Sequence, residues 1–374
     1  MGRIGAGRRG FAFEALCVWM LCLLAIGCGG SLPSTDLPDS REVAPGLEFP
    51  ELRDYRGIVD CKMKQSGFDQ VKLADLARTT QIDFVFLADY AKPDSDLGIG
   101  GFTSSVLFIP GATFKIGHGG AEIVALNLTR PIEYGDEPSA IIGRIHDQRG
   151  IAIAANLSAF KSSDDYALAD AIEMYNFDRN WHAQSASGLY LRSVFFGADR
   201  LFGSLDIRPD ADLASYDRMT SGARVTLLAG LGAAPDTSVM GTQVGTYEQL
   251  FEIYTTHILA TERQVDPIID ALKHGHSYVS FDFLGYVPSF AFFAQAGDRK
   301  IMMGDEVPMA TGLKLRVETP AVADKIIIIG NGAEVASAEN VSNFEFTPTA
   351  AGPYRVEAIR GGHPWIYSNP IYVR

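Results

Sequence analysis

The residues of this chain best suited to chemistry stand behind short apolar runs. Asp60-Cys61-Lys62 closes one run and Asp89-Tyr90 follows another. Gly111-Ala112-Thr113 follows Phe108-Ile109-Pro110, Asn156-Leu157 follows GIAIAA, and Gly232-Ala233-Ala234 follows VTLLAG. Imidazoles and carboxylates converging from such positions hold divalent ions, whose bound hydroxide attacks esters. Here the set is poor in ligands. Asp60 and Asp89 carry oxygens, Thr113, Asn156 and Tyr90 are weak neutral donors, Gly232 and Ala234 offer no side-chain donor, and Lys62 brings a cation of its own. His118, in a Gly-rich turn, is a further ligand candidate, although a lone loop histidine is more often a surface residue. His274-x-His276 has metal-motif spacing but sits in DALKHGHSYVS, which reads as a helix end and packing. His146, His182, His257 and His363 lack partners in sequence and read as structural. The chain has no Gly-x-Ser-x-Gly elbow and no Walker loop, and Ser66 and Cys61 have no clear histidine base.

The elements that must position these residues follow from hydrophobic periodicity. Apolar runs at 56–61, 83–88, 121–128, 150–155, 171–175 and 225–230 read as strands, with helical spacing over 70–80 and 139–148 between them. Continuous apolar strands separated by helices predict a parallel sheet buried on both faces, most economically a TIM-like β/α barrel. Reactive residues then belong at the C-terminal strand ends, where the groups above lie. After about Gly285 the helical period ends. Short strands are expected at 289–294, 313–318, 325–329, 344–347, 354–360 and 371–373, with a turn at Asn331-Gly332, as in a β-sandwich. Trp365, Tyr367 and Tyr372 would mark a partner surface if they formed an exposed patch.

The N-terminus suggests export. Arg3, Arg8 and Arg9 precede an apolar run of about 12 residues, too short to span a bilayer, which takes about 20. The run ends Leu24-Ala25-Ile26-Gly27-Cys28, which resembles a bacterial lipobox. Residues 1–27 read as a signal peptide, and Cys28 as the lipidated first residue of a tether over 28–50. One cysteine, Cys61, then remains in the body, so no intramolecular disulfide is available. The formal charge of −13 argues against binding nucleic acid, which needs clustered Lys and Arg.

The strand–loop–helix RGIVDCKMKQSGFDQVKLADLA, then IDFVFLADY and the segment IEMYN, resembles the PHP (polymerase and histidinol phosphatase) superfamily of metallohydrolases. The tail, GPYRVE and WIYSNPIYV, resembles the small β-domain of some exported members. The resemblance implies a distorted (β/α)7 barrel over 51–284 and a C-terminal β-sandwich domain over 285–374. It also implies that the metal-ligand positions correspond to Asp60, Lys62, Asp89, Tyr90, Thr113, Asn156, Gly232 and Ala234, of which only Asp89 keeps the family residue. Lys62 is expected to pair with Asp60 or Asp89 and neutralise the pocket without metal. The implied function is that of a pseudoenzyme: a membrane-anchored lipoprotein of the cell envelope, facing the periplasm or exterior, without a cofactor and binding a polar or phosphate-bearing ligand. The alternative is a phosphoesterase with a remodelled site that holds one Zn, Mn or Fe ion through Asp60, Asp89 and His118. A structural role carried by the C-terminal segment is a third reading.

Overall fold

The structure, a computed structural model, describes residues 49–63, 69–91, 97, 100–133, 135, 137–183, 208–232, 238–239, 242–243, 250–251 and 253–374. The signal peptide, Cys28, nearly all of the tether, Ser66 and Ala234 lie outside these residues.

Strand β1 (Arg53–Cys61) starts at the surface and is buried from Arg56 onward. Helix α1 (Gln70–Thr79) starts where the Asp69 carboxylate accepts from Lys72 N at 2.8 Å, and it buries Leu73, Ala74 and Ala77. Then come β2 (Phe84–Leu87), β3 (Gly101–Thr103), β4 (Val106–Ile109), β5 (Gly111–Ile116) and β6 (Ala121–Leu126). Helix α2 (Pro138–His146) has proline in its first turn and turns Ile141, Ile142 and Ile145 inward. Next are β7 (Ile151–Ala155), β8 (Ala171–Asn176), α3 (Phe177–Ala183), α4 (Asp210–Gly222), β9 (Thr226–Gly230), the short β10 (Ser238–Val239) and β11 (Thr242–Gln243), and β12 (Thr255–Ala260). Helix α5 (Val265–His274) ends at Gly275, φ 75°, and leads into β13 (Ser277–Ser280).

The expected strands and helices form close to their predicted places, but the sheet is mixed rather than wholly parallel. β1 pairs in parallel with β2 and, through Val59, with β9. β8 is parallel to both β7 and β9. β6, in contrast, is antiparallel to both β5 and β7. The turn over 117–120 between β5 and β6, with Gly117 and Gly120 at φ 58° and 84°, is too short for the crossover that parallel strands need. β12 is likewise antiparallel to β1 and β13. Beyond β2, Tyr90 bridges Thr113 of β5 in parallel, so the ladder from β1 through β9, β8, β7, β6 and β5 returns to its start. Val59, Phe86, Ile109, Ile153 and Leu228 meet inside it. Burying each such side chain contributes about 1.5–3 kcal/mol.

The remaining strands are β14 (Ala291–Ala296), β15 (Arg299–Met302), β16 (Glu306–Val307), β17 (Lys314–Gly330), β18 (Ala333–Phe346), β19 (Gly352–Arg360), β20 (His363–Ser368) and β21 (Ile371–Val373). The short strands expected at 313–318 and 325–329 are one strand, β17, whose register with β18 slips between Glu318 and Ala323, around Pro320. Asn331 and Gly332, at φ 53° and 79°, make the two-residue turn that joins β17 to β18. β20 pairs with β13, so the ladder continues into the C-terminal strands. The buried Asn369 reinforces that join. Its Oδ1 accepts from Leu227 N at 2.7 Å and Tyr216 Oη at 2.9 Å, and its Nδ2 donates to Ser277 O at 2.7 Å. Trp365, Tyr367 and Tyr372 are buried, so they form no exposed aromatic patch. The architecture is thus mixed α/β, rich in sheet and with few helices. Among the described residues no helix is long and apolar enough to cross a membrane.

Candidate functional site

The strand ends of β1, β2, β5 and β8 converge on a buried charged cluster. Asp60 adopts φ 57° at an irregularity in the pairing of β1 with β2, and the chain turns there to bring Lys62 inward. The Lys62 ammonium donates to the Asp60 carboxylate, to Ala88 O at 3.0 Å and to Thr113 Oγ1 at 2.7 Å. An ammonium has three protons, and these are three acceptors. The Lys62 side chain is 0% exposed and that of Asp60 1%. Such a pair persists only where hydrogen bonds offset desolvation, as they do here. Of the two partners expected for Lys62, the structure shows Asp60.

β8 adds a second carboxyl. Glu173 Oε2 accepts from Asn176 Nδ2 at 2.9 Å, while Glu173 Oε1 and Asp60 Oδ2 are buried without a hydrogen-bond partner among the described residues. Burial and the neighbouring Asp60 charge push the Glu173 carboxyl up to about 8, so it is mainly protonated at neutral pH. Burial also raises Asp60, against the opposing pull of Lys62. β9 and the residues just after it leave room for these groups by carrying glycine. A Cβ on Gly230 would lie 1.5 Å from Glu173 Oε1, and one on Gly232 would lie 2.4 Å from the Asn176 amide. Gly232 therefore makes space for Asn176, which explains the missing donor at that position. Gly230→Ala is expected to cost about 1–3 kcal/mol by overpacking. Urea unfolding should show the loss, and a Gly230→Ala/Glu173→Ala double variant should regain part of it.

At the rim, the Tyr90 ring lies 4.7 Å from Lys62 Nζ and 4.1 Å from Lys115 Nζ. Tyr90 is hydrogen-bonded to Glu122, which stands opposite Lys115 in the β5–β6 register, and burial raises both the Tyr90 hydroxyl and the Glu122 carboxyl. Asp89 is half-buried, and its carbonyl accepts from Thr113 N at 3.0 Å. Asn156 instead secures the β5–β6 turn, donating from Nδ2 to Gly120 O at 2.9 Å. His118 is exposed in that same turn.

The residues present do not suit a divalent ion at this centre. An ammonium with all its protons placed stands among the carboxylates, and Thr113 is turned to it rather than to open space. Among the described residues no three His, Cys, Asp or Glu side chains are gathered in ligating geometry. Glu173 and Asn176 belong to the segment IEMYN and Glu122 to the apolar run 121–128, and the sequence did not show that Asn176 or Glu122 would stand here. Asn176, three residues after Glu173 and adjacent to the strand end, was open to inference; Glu122 depends on a cross-strand register.

His257 has partners that the sequence did not show. Its Nδ1 is 2.8 Å from Asp54 Oδ1 and its Nε2 3.0 Å from Ser280 Oγ, spacings like those of a serine triad. Ser280, however, is 0% exposed and donates to Asp282 Oδ1 at 2.6 Å, so the group ties β1, β12 and β13 together.

No family model and no curated protein matches this chain. Among solved structures, one from Bacteroides vulgatus ATCC 8482 illustrates the similarity. That protein has two domains and contains a predicted PHP-like metal-dependent phosphoesterase. The identity is 10% and the TM-score 0.41, over 86% of this chain and 96% of that one.

Proposed function

We propose that this chain is a PHP-like, lipid-anchored protein of the cell envelope that lacks metal-dependent phosphoesterase activity and serves as a binding or scaffold module. In this reading residues 51–284 form a PHP-type (β/α)7 barrel, residues 285–374 form a β-sandwich domain, and Cys28 carries the lipid. The observation that carries it is the Lys62 ammonium, buried and saturated by Asp60, Ala88 O and Thr113. A fixed organic cation there removes the need for a metal and repels one that approaches. The ligand is polar or phosphate-bearing and sits at the rim, where Lys115 is exposed and Arg179 partly so.

The test is hydrolysis of p-nitrophenyl phosphate by the full chain with Mn²⁺, Zn²⁺ or Fe²⁺ supplied in turn. No turnover above the metal-containing buffer is expected. Turnover that disappears in Asp89→Ala would overturn the proposal.

A further inference from the structure

Two of the three buried arginines among the described residues are paired with carboxylates. Arg56 donates to Asp282 and to Thr80 O at 3.1 Å. Arg355 is held by Asp217 at 2.7 Å and by Glu357 at 2.6 Å. Arg360, at the end of β19, differs. It is 6% exposed, and its Nη1 is buried without a hydrogen-bond partner among the described residues. What it meets is a ring: its guanidinium carbon lies 5.0 Å from the centre of the Trp365 ring. Stacking on an aromatic face recovers only part of what a guanidinium loses on leaving water, and a buried charge ordinarily has a counter-ion. The carboxylate level with it is engaged elsewhere. Lys325 stands opposite Ile359, which puts Asp324 level with Arg360, but Asp324 is exposed and its Oδ2 accepts from Gly362 N at 3.2 Å.

The tryptophan repeats the pattern. Trp365 is fully buried and its carbonyl accepts from Phe281 N at 2.9 Å, yet its Nε1 has no hydrogen-bond partner among the described residues. Buried donors rarely stay unpaired, because each forfeits its bond to water. Here a charged donor and a neutral one belong to groups stacked on each other. The pairing of β19 with β20 slips between Ala358 and Ile359, next to both residues, and such irregularities re-aim side chains. The turn that joins the two strands, with Gly361 and Gly362 at φ 60° and 76°, is exposed. Arg360 and Trp365 therefore lie at the foot of a surface turn.

We propose that Arg360 and Trp365 form a binding site for the carboxylate of a small organic acid, with residues distinct from those of the Lys62 centre. One carboxylate oxygen accepts from Arg360 Nη1 and the other from Trp365 Nε1. The charge selects the class. A monoanion neutralises one guanidinium, whereas a phosphate dianion would leave surplus negative charge buried in a chain whose formal charge is already −13.

The experiment is thermal melting of the full chain at neutral pH as sodium acetate replaces sodium chloride at constant ionic strength. We expect a melting midpoint that rises to a plateau with acetate. Arg360→Met should remove the rise and, in chloride alone, should melt no lower than the parent, because it discards a buried charge that has no counter-ion. Trp365→Phe keeps a ring and drops the donor, and should weaken the acetate response at least fivefold. Arg299→Ala, an exposed arginine of β15, should leave the response as it is. Phosphate should give no rise that depends on Arg360. Circular dichroism of each variant separates loss of a donor from loss of fold. An unsaturating rise shared by Arg360→Met would be a bulk salt effect and would overturn the inference. So would an Arg360→Met variant that melts well below the parent in chloride, since the guanidinium would then have its partner within the fold. A phosphate response lost in Arg360→Met would overturn the assignment to a carboxylate.

Discussion

Lys62→Met is expected to destabilise the protein by about 3–5 kcal/mol at neutral pH, the cost of stranding one partner of a buried ion pair. The magnitude follows from the options left to Asp60. Its carboxylate is buried, and methionine offers no proton to it, to Ala88 O or to Thr113 Oγ1. Asp60 must then stay charged without a counter-ion or take up a proton. Protonating a carboxyl of ordinary pKa 3.8 at pH 7 costs about 4 kcal/mol, which decides in favour of protonation over an isolated buried charge. The loss should therefore shrink as the pH falls toward 4, and an Asp60→Asn/Lys62→Met double variant should recover part of it. Urea unfolding of the three proteins at two pH values measures all of this. A loss below about 1 kcal/mol at pH 7 would show that the pair is not held as described.

The second large effect is the pH dependence contributed by Glu173. Its folded value, about 8, lies above the ordinary 4.5, so the folded state keeps a proton that the unfolded chain has released. The stability contribution is complete below about pH 4.5, falls as the pH rises between about 4.5 and 8, and changes no further above that. The slope in the window approaches about 1.4 kcal/mol per pH unit for one proton. Glu173→Gln keeps the size of the group and its hydrogen bond with Asn176 while removing the titration. Its unfolding free energy should lose this slope, so that the variant gains on the parent protein as the pH rises toward 8. Parallel pH profiles for the two proteins would place the protonated group elsewhere.

Much of the scaffold was open to reading because buried strands here are nearly unbroken apolar runs, such as Phe84–Leu87 and Ile151–Ala155. Strand direction was not. An apolar run looks the same in a parallel or an antiparallel partner, and only the short turn at 117–120 indicated that β5 and β6 form a hairpin. β12 was missed because Thr255, Thr256 and His257 interrupt its apolar pattern, although all three are buried. β18 was seen only at its end, since small and acidic residues such as Ala336, Ser337 and Glu339 suit its largely exposed surface but lack strand character. In the site, Asp60 and Lys62 were legible because both flank one strand end. The role of Gly232 was not, because it depends on the Asn176 side chain arriving from the neighbouring strand.

The join between β13 and β20 bears on how the chain can be divided. A fragment ending near Gly285 would leave β13 as a raw edge and strip Leu227 N and Ser277 O of the Asn369 amide that satisfies them. The downstream strands would lose the wall they build upon. The sequence changes character near residue 285, but the hydrogen-bond ladder does not break there. Modular in composition, the body is continuous in its hydrogen bonding, and the β-rich tail is less a passenger than the covering of an edge that β13 would otherwise expose.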